Sequence, residues 1–509
     1  MRNMCSKLCD AVFIAPFSAG NPTKTSRGEQ KTDGSTSVTV LTAVSFPLIT
    51  IMFFILIRHR GDNEELFNLH WACSTPFMLI ALTSLIAFTI STSRNKQAWT
   101  KENAKNKQEP SVNVQLGFLW IFGIAMMVQC SLEIIVVASC ISSTSGVLLG
   151  YLGHLLSSAA KIAYLIVQLL FISSNMRRHF VNTIWINFML GGIVFTNACI
   201  WLEFVSRRIA YLYEFEQNAF LNRTLTCYHH SKPQEIIRTI DVYIVPITAA
   251  FVLLAISFTV KMCPAVGRGT SSRERDLVLT EDSQIGHNLV MKTAKKFGFV
   301  ISILVHIPVF IFALLTRYVY VHTNVVLFYW QIIGVVQKLL MLGIIFVGFS
   351  YLEPRKSTAW KLSSDDYVLL TCMVAKLISV IVVNLSAFNC GYNQTSLIGL
   401  LYHGFVYLAL IFYQTIYLLM SNRPMHNRNA KSRVSTFIQS VFVVVYIGRW
   451  FVVSFILSYQ GEDIIITEDK VCIFKDSRVW STTQYLITPC ATFYDFISAM
   501  YYYGMIFTQ

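Results

Sequence analysis

Residues 182–205 read NTIWINFMLGGIVFTNACIWLEFV, and this stretch decides the class of fold. A transmembrane helix needs about 20 predominantly apolar residues, which the stretch supplies although it carries Asn197 and Glu203 near its end. The rest of the chain has the same character, because 54% of its 509 residues are hydrophobic and only 13% are charged, against about 25% charged residues in soluble domains. The sequence therefore predicts an all-α, multi-pass membrane protein.

Twelve apolar runs, separated by charged or Gly-, Pro- and Asn-containing breaks, predict twelve transmembrane helices. These runs are apolar at both odd and even positions. Strands of an outer-membrane barrel alternate apolar and polar residues, so a barrel is disfavoured. The predicted helices comprise residues 38–57, 70–92, 114–139, 149–173, 182–205, 239–261, 297–316, 323–350, 366–387, 396–420, 434–458 and 479–506.

Lys and Arg are unevenly distributed between the two sets of loops. One set holds about 21 of them and the opposite set about 11, and because positive charge accumulates on the cytoplasmic side, both termini are predicted to be cytoplasmic. Asn222 and Asn393 begin glycosylation sequons in loops predicted to be extracellular, which agrees with this orientation. The net charge of +14 is dispersed over these loops, so no nucleic-acid partner is expected.

Two pairs of similar motifs predict an internal repeat. Gln168 and Gln414 are 246 residues apart, each near the end of its run, and Pro246 and Pro489 are 243 residues apart in the sixth and twelfth runs. Six helices per copy would make the two copies parallel in the membrane. The predicted organisation is a cytoplasmic N-terminal arm at 1–37, an N-terminal six-helix half at 38–261, a cytoplasmic linker at 262–296 and a C-terminal six-helix half at 297–509.

Many polar side chains lie within the predicted helices, where an ionised group costs about 2.5–3.5 kcal/mol unless it has a partner or water. Lys161 and Gln168 are seven residues apart and so share one helix face. Such residues could line a pathway, or they could be interhelical hydrogen-bond partners. Structural ion pairs of Lys161 or Lys376 with Glu133 or Asp495 are a second interpretation, and a solvated helix end is favoured for Glu203.

Several classes of protein have no support in the sequence. No Walker A loop, HExxH motif, nucleophile elbow or dinucleotide fingerprint occurs, so neither an enzyme nor a cofactor is expected. The cysteines and histidines do not have the spacing of a metal site. Cys227, Cys390 and Cys472 lie in predicted outer loops, where a disulfide could form, but the spacing does not define a pairing.

Four segments carry a resemblance to a known family. They are FTNACIWL at 195–202, AYLIVQLLFI at 163–172, IFYQTIYLLMSNR at 411–423 and WSTTQYLITPCATFYDFISAM at 480–500. In order and topology they resemble the otopetrins, a family of twelve-helix proton channels. The chain departs from the family pattern in its C-terminal half, where Asp495 and Ile497 replace a basic residue and a histidine, and Leu410 replaces an acidic residue.

The resemblance implies a proton-selective channel of the plasma membrane that is activated by extracellular acid and carries protons into the cell. It also implies a homodimer, two six-helix barrels in each subunit, and membrane lipid of the sterol type near the dimer centre. The residues that it suggests for the pathway or its constrictions are Gln168, Asn197 and Gln414.

We expect those amides to exchange protons with a file of water, while titratable groups set the charge or relay protons. The titratable candidates are Glu133, Lys161, His154, His403 and Asp495. Candidates for the outer mouth or acid sensing are Glu203, Glu214, Glu216, His229 and His230, although His229 and His230 could be a plain exposed pair.

Two other functional classes stay open. A secondary transporter would also use repeats and polar groups in the membrane, and it would have helices broken at corresponding positions such as Pro246 and Pro489. A non-conducting, receptor-like membrane protein would fit the departures from the otopetrin pattern.

Overall fold

The computed structural model describes residues 63–94, 100–101, 110–141, 148–176, 179–180, 184–217, 232–262, 281–318, 324–351, 364–389, 394–421, 433–457 and 477–507. Apart from two-residue strands β1 (Thr100–Lys101) and β2 (His179–Phe180), which pair antiparallel, and the turn residues Met176 and Tyr351, these residues are helical. The helices are α1 Asn63–Arg94, α2 Pro110–Ile141, α3 Leu148–Asn175, α4 Ile184–Gln217, α5 Lys232–Met262, α6 Glu281–Tyr318, α7 Asn324–Ser350, α8 Ser364–Asn389, α9 Gln394–Ser421, α10 Arg433–Phe451 and α11 Ser477–Phe507. A π-helical segment, Val452–Leu457, continues α10.

Eleven of the predicted apolar runs fall on these helices in order, and the run at 38–57 lies outside the described residues. Within the described residues, six helices are long and apolar enough to cross a membrane, in α2, α3, α6, α7, α9 and α10. Shorter apolar helical segments occupy Ser74–Ile90, Met189–Val205 and Pro246–Met262. These lengths and compositions indicate an all-α membrane protein.

The ends of several helices follow from local sequence. Pro110 is the first residue of α2 and Pro233 lies in the first turn of α5, where proline costs no hydrogen bond. α7 begins at Asn324 and α8 begins at Ser364. α6 begins at Glu281, within the segment predicted to be a linker, and so extends well beyond its apolar run.

The outward faces are apolar. On α6, Val300, Ile303, Leu304, Ile307 and Ile311 are exposed at helical spacing. A contiguous exposed apolar face of this kind is unfavourable in water and suits contact with lipid.

The helices form two closed rings. In the N-terminal ring, α1 contacts α3, α3 contacts α2, α2 contacts α5, α5 contacts α4, and α4 contacts α1. In the C-terminal ring, contacts run in the order α6, α10, α11, α8, α9, α7 and back to α6, and α7 also contacts α10. Polar side chains on the inner helix faces are thereby removed from lipid, which is the arrangement that their solvation requires.

The two rings meet along an aromatic seam. α11 contacts α2, α4 and α5 of the N-terminal ring. Phe118 of α2 lies 5.1 Å, centroid to centroid, from Phe496 of α11, and Phe122 lies 5.8 Å from Trp450 of α10. Phe122, Trp450 and Phe496 are buried, so the seam consists largely of apolar rings.

The two prolines that would mark broken helices in a transporter lie within continuous ones. Pro246 is inside α5 and Pro489 is inside α11. The helix interruptions expected for a secondary transporter at these positions are therefore not present.

Candidate functional site

A line of buried polar side chains runs along α3 inside the N-terminal ring. His154, Lys161 and Gln168 follow one another at intervals of seven residues and are 4%, 7% and 0% exposed. Seven residues bring a side chain back to nearly the same helix face, and a rise of about 1.5 Å per residue spreads the three over about 21 Å. This line would span much of a hydrocarbon core of about 30 Å.

Lys161 forms a buried ion pair with Glu203. Its Nζ donates to Glu203 Oε1 at 3.1 Å, between α3 and α4, and Glu203 is 2% exposed. The solvated helix end favoured for Glu203 from sequence is therefore wrong: α4 continues to Gln217, so Glu203 is inside the helix and faces α3. Glu133, one of the two acids that the sequence suggested as a partner of Lys161, accepts a hydrogen bond from Ser158 Oγ at 3.2 Å.

Two buried amides in this ring have unsatisfied polar atoms. Neither amide atom of Gln168 makes a hydrogen bond, although the side chain is fully buried. Asn197 Nδ2 donates to the backbone oxygen of Ile193 at 3.0 Å, and its Oδ1 has no partner. Buried amides in native structures are nearly always hydrogen-bonded to protein or water, so Gln168 can donate to and accept from water.

The C-terminal ring holds a second charged site. Lys376 of α8 donates to Asp495 Oδ2 of α11 at 3.0 Å, which is the ion pair that the sequence suggested as one alternative. Arg449 Nη2 of α10 lies 4.0 Å from the same oxygen and also donates to the Tyr407 hydroxyl of α9. Four helices thus contribute to one buried network.

Gln414 belongs to an aromatic stack in the same ring. Its Oε1 accepts a hydrogen bond from the Tyr446 hydroxyl, and its Nε2 has no partner. The Tyr446 ring is nearly parallel to that of Tyr502, with centroids 6.2 Å apart, and Phe442 and Tyr417 also stack on Tyr502. All four rings are buried, so Gln414 adjoins a column of packed aromatic side chains.

The charges of the two sites differ in sign. Among the described side chains, the N-terminal site has one lysine, Lys161, with the carboxylates Glu133 and Glu203 on other helices. The C-terminal site brings the cations Lys338, Lys376 and Arg449 near one carboxylate, Asp495. Counting only these described groups in their ordinary ionised forms, the first set is net negative and the second is net positive, and net negative charge favours a cation.

The sequence did not point to Tyr407, although the repeat contained a signal for it. Tyr407 is 246 residues after Lys161, the same offset that relates Gln414 to Gln168. A hydroxyl that accepts a hydrogen bond from arginine thus takes the position of a lysine. Polarity alone does not single out a tyrosine in a helix rich in aromatic residues.

The structure does not describe the side chains of the remaining predicted site residues. His403 lies on α9 and Glu214 and Glu216 lie near the end of α4, but only their backbone is described. His229, His230, Asn222 and Asn393 lie outside the described residues. Among the described side chains, no three His, Cys, Asp or Glu groups are arranged to hold a metal ion.

The fold and these two sites define an all-α membrane protein with buried charge inside helical rings. No protein-family model and no curated protein matches the chain.

Proposed function

We propose that this protein is a proton-selective channel of the otopetrin type, opened by extracellular acid and carrying protons into the cell. The observation that carries the proposal is Gln168, a fully buried amide whose two polar atoms make no hydrogen bond, on the same helix face as a buried ion pair. A carboxamide can accept a hydrogen bond from one water molecule through its oxygen and donate a hydrogen bond to another through its nitrogen.

The route that we assign passes through the N-terminal ring. His154, Lys161 with Glu203, and Gln168 form the line along α3, and Asn197 adds a second amide from α4. Protons would move along water between these groups, while the apolar side chains around them disfavour hydrated Na⁺ and K⁺. Glu133 and Glu203 supply the negative charge that favours a cation in this ring.

The proposed architecture is twelve transmembrane helices in two six-helix halves arranged as a parallel repeat. Its support is that helices at equivalent positions make the same contacts within the two rings. The contacts α1–α3, α2–α3, α2–α5 and α4–α5 of the N-terminal ring correspond to α7–α9, α8–α9, α8–α11 and α10–α11 of the C-terminal ring. Shared contacts in the same order are expected of duplicated halves.

Both termini would be cytoplasmic in a plasma-membrane protein. Cys140, near the C-terminal end of α2, is disulfide-bonded, and disulfides form on the extracytoplasmic side of a membrane. If this end of the third predicted span faces outward, the N-terminus faces the cytoplasm. A homodimer with sterol-type lipid near its centre completes the proposal by resemblance to the otopetrins.

The test is whole-cell current with Na⁺ and K⁺ replaced by a large organic cation and external pH stepped from neutral to about pH 5, where carboxylates and imidazoles titrate. We expect inward current that reverses near the proton equilibrium potential, together with cytoplasmic acidification. Absence of both, with the protein confirmed at the cell surface, would refute the channel and favour a non-conducting membrane protein.

A further inference from the structure

An apolar groove lies between α7 and α10 on the outer surface of the C-terminal ring. Its volume is about 580 Å³, and ligand sites usually measure about 300–1,000 Å³. The side chains and the glycine that line it include Val336, Leu340, Gly343 and Val347 of α7 and Val434 and Phe437 of α10. The three α7 side chains are half-exposed, so the groove is open along one side.

The groove follows the direction of α7, a helix long and apolar enough to cross a membrane. Its four α7 positions are four, three and four residues apart, so they form one stripe on the helix. At about 1.5 Å per residue, this stripe is about 17 Å long. Its direction and its apolar lining suit a lipid acyl chain, which also extends across the membrane.

Close helix contacts elsewhere in the ring explain why a gap remains here. A Cβ at Gly298 of α6 would lie 2.9 Å from the Phe437 carbonyl oxygen, and one at Gly348 of α7 would lie 2.7 Å from the Tyr417 ring. These glycines allow α6 to approach α10 and α7 to approach α9. A Cβ at Gly343, by contrast, meets nothing within 4 Å, so the space between α7 and α10 is open there.

Basic residues adjoin one end of the groove. Phe437 packs against Phe297 of α6, with ring centroids 5.9 Å apart, and Phe297 directly follows the exposed Lys296. Val434 directly follows residues 421–433, which contain four Lys or Arg and no Asp or Glu. In the proposed orientation this end is cytoplasmic, and basic residues at that surface attract anionic lipid headgroups.

We propose that the groove binds an anionic phospholipid, with one acyl chain between α7 and α10 and its phosphate group beside Lys296. The apolar stripe accounts for the chain, and the lysine accounts for the headgroup. A lysine at the end of an apolar run can extend its ammonium group to the headgroup level. This site is separate from both polar sites and does not rest on proton conduction.

The experiment measures thermal unfolding of the purified full-length protein in detergent micelles that contain added phosphatidylglycerol, at fixed ionic strength. A ligand that binds the folded state raises the unfolding temperature with its concentration. We expect a saturable rise of several degrees, and an apparent affinity at least tenfold weaker for phosphatidylcholine with the same acyl chains. Glycerol phosphate carries the anionic group without the chains and should have no effect.

Gly343→Leu tests the groove, because its side chain would occupy the open space. The apparent dissociation constant for phosphatidylglycerol should rise at least tenfold in this variant. Gly117→Leu is the matched control: Gly117 of α2 is also an exposed helix glycine whose Cβ would meet nothing within 4 Å. This control should bind phosphatidylglycerol as wild type does.

Lys296 tests the headgroup and keeps the experiment decisive if Gly343→Leu does not fold. Lys296→Gln should reduce the preference for phosphatidylglycerol over phosphatidylcholine at least threefold, and Lys296→Arg should keep it. The proposal is overturned if wild type shows no saturable effect, if it responds equally to both phospholipids, or if Gly343→Leu and Lys296→Gln both bind as wild type does. No step measures proton current, so this proposal can fail while the channel proposal stands.

Discussion

Tyr407 occupies on α9 the position that Lys161 occupies on α3, seven residues before a buried glutamine, and the two side chains bind partners of opposite charge. Lys161 donates to Glu203 of the next helix, whereas the Tyr407 hydroxyl accepts from Arg449 of the next helix. The same geometry therefore holds a carboxylate in one ring and a guanidinium in the other.

Breaking the Lys161–Glu203 pair on one side should destabilise the protein. Lys161→Met removes the ammonium group that donates to the buried Glu203 carboxylate, which should cost about 3–5 kcal/mol, and the double variant Lys161→Met with Glu203→Gln should recover most of that loss. Thermal unfolding in detergent and the monodisperse fraction after size-exclusion chromatography measure both. Equal destabilisation by the single and double variants would mean that the two side chains do not interact energetically.

The two repeat-related glutamines should differ in their effect on conduction. Gln168→Leu should lower proton current at least tenfold, because it removes the amide from the proposed route, while Gln414→Leu should lower it less than twofold, because Gln414 adjoins packed aromatic rings. Current is normalised to surface protein at fixed external pH. Gln439→Leu, which removes a buried amide bonded to Ser435, is the control. Equal losses in the two glutamine variants would place conduction in both rings.

The Gln168 substitution should not impair folding. Both of its amide atoms are buried without hydrogen bonds, and replacing such a group by an apolar one of similar size is close to neutral or stabilising. The unfolding temperature of Gln168→Leu should equal or exceed that of wild type. A fall in unfolding temperature of more than a few degrees would show that the amide has a structural partner. A loss of current in this variant would then be explained by impaired folding.

The helices could be predicted well from sequence, while the partners of the charged residues could not. The length of the apolar runs and the charge of the loops between them located eleven helices. In lipid each segment must be apolar and must satisfy its own backbone hydrogen bonds, so each helix can be recognised separately. Pairing depends on which helix faces oppose each other. The alternatives suggested for Lys161 were Glu133 and Asp495, and its partner in the structure is Glu203. For Lys376 the alternatives included Asp495, its partner in the structure. Tyr407 was not anticipated because its polar role arises only from the convergence of four helices.

Two tyrosines of one aromatic stack should respond differently to loss of the hydroxyl. Tyr446→Phe leaves the buried Gln414 oxygen without its donor and should cost about 1–3 kcal/mol. Tyr502→Phe removes a buried hydroxyl that makes no hydrogen bond, so its stability should be unchanged or slightly higher. Both variants keep the ring, and stacking is the same in each. Similar unfolding temperatures for the two variants would contradict the Tyr446–Gln414 hydrogen bond.

Alanine substitutions at two helix glycines should have opposite effects on stability, because packing decides one and helix propensity decides the other. A Cβ at Gly448 would lie 2.5 Å from His306 Nε2 and 2.6 Å from its Cδ2, so Gly448→Ala must displace a ring that also contacts Gln337 and should cost about 1–3 kcal/mol. A Cβ at Gly343 of α7 meets nothing within 4 Å, and alanine is favoured over glycine in a helix by about 1 kcal/mol, so Gly343→Ala should stabilise. Thermal unfolding of the two variants beside wild type gives the comparison. If Gly448→Ala is as stable as Gly343→Ala, α6 and α10 are not packed as closely as His306 and Gly448 indicate.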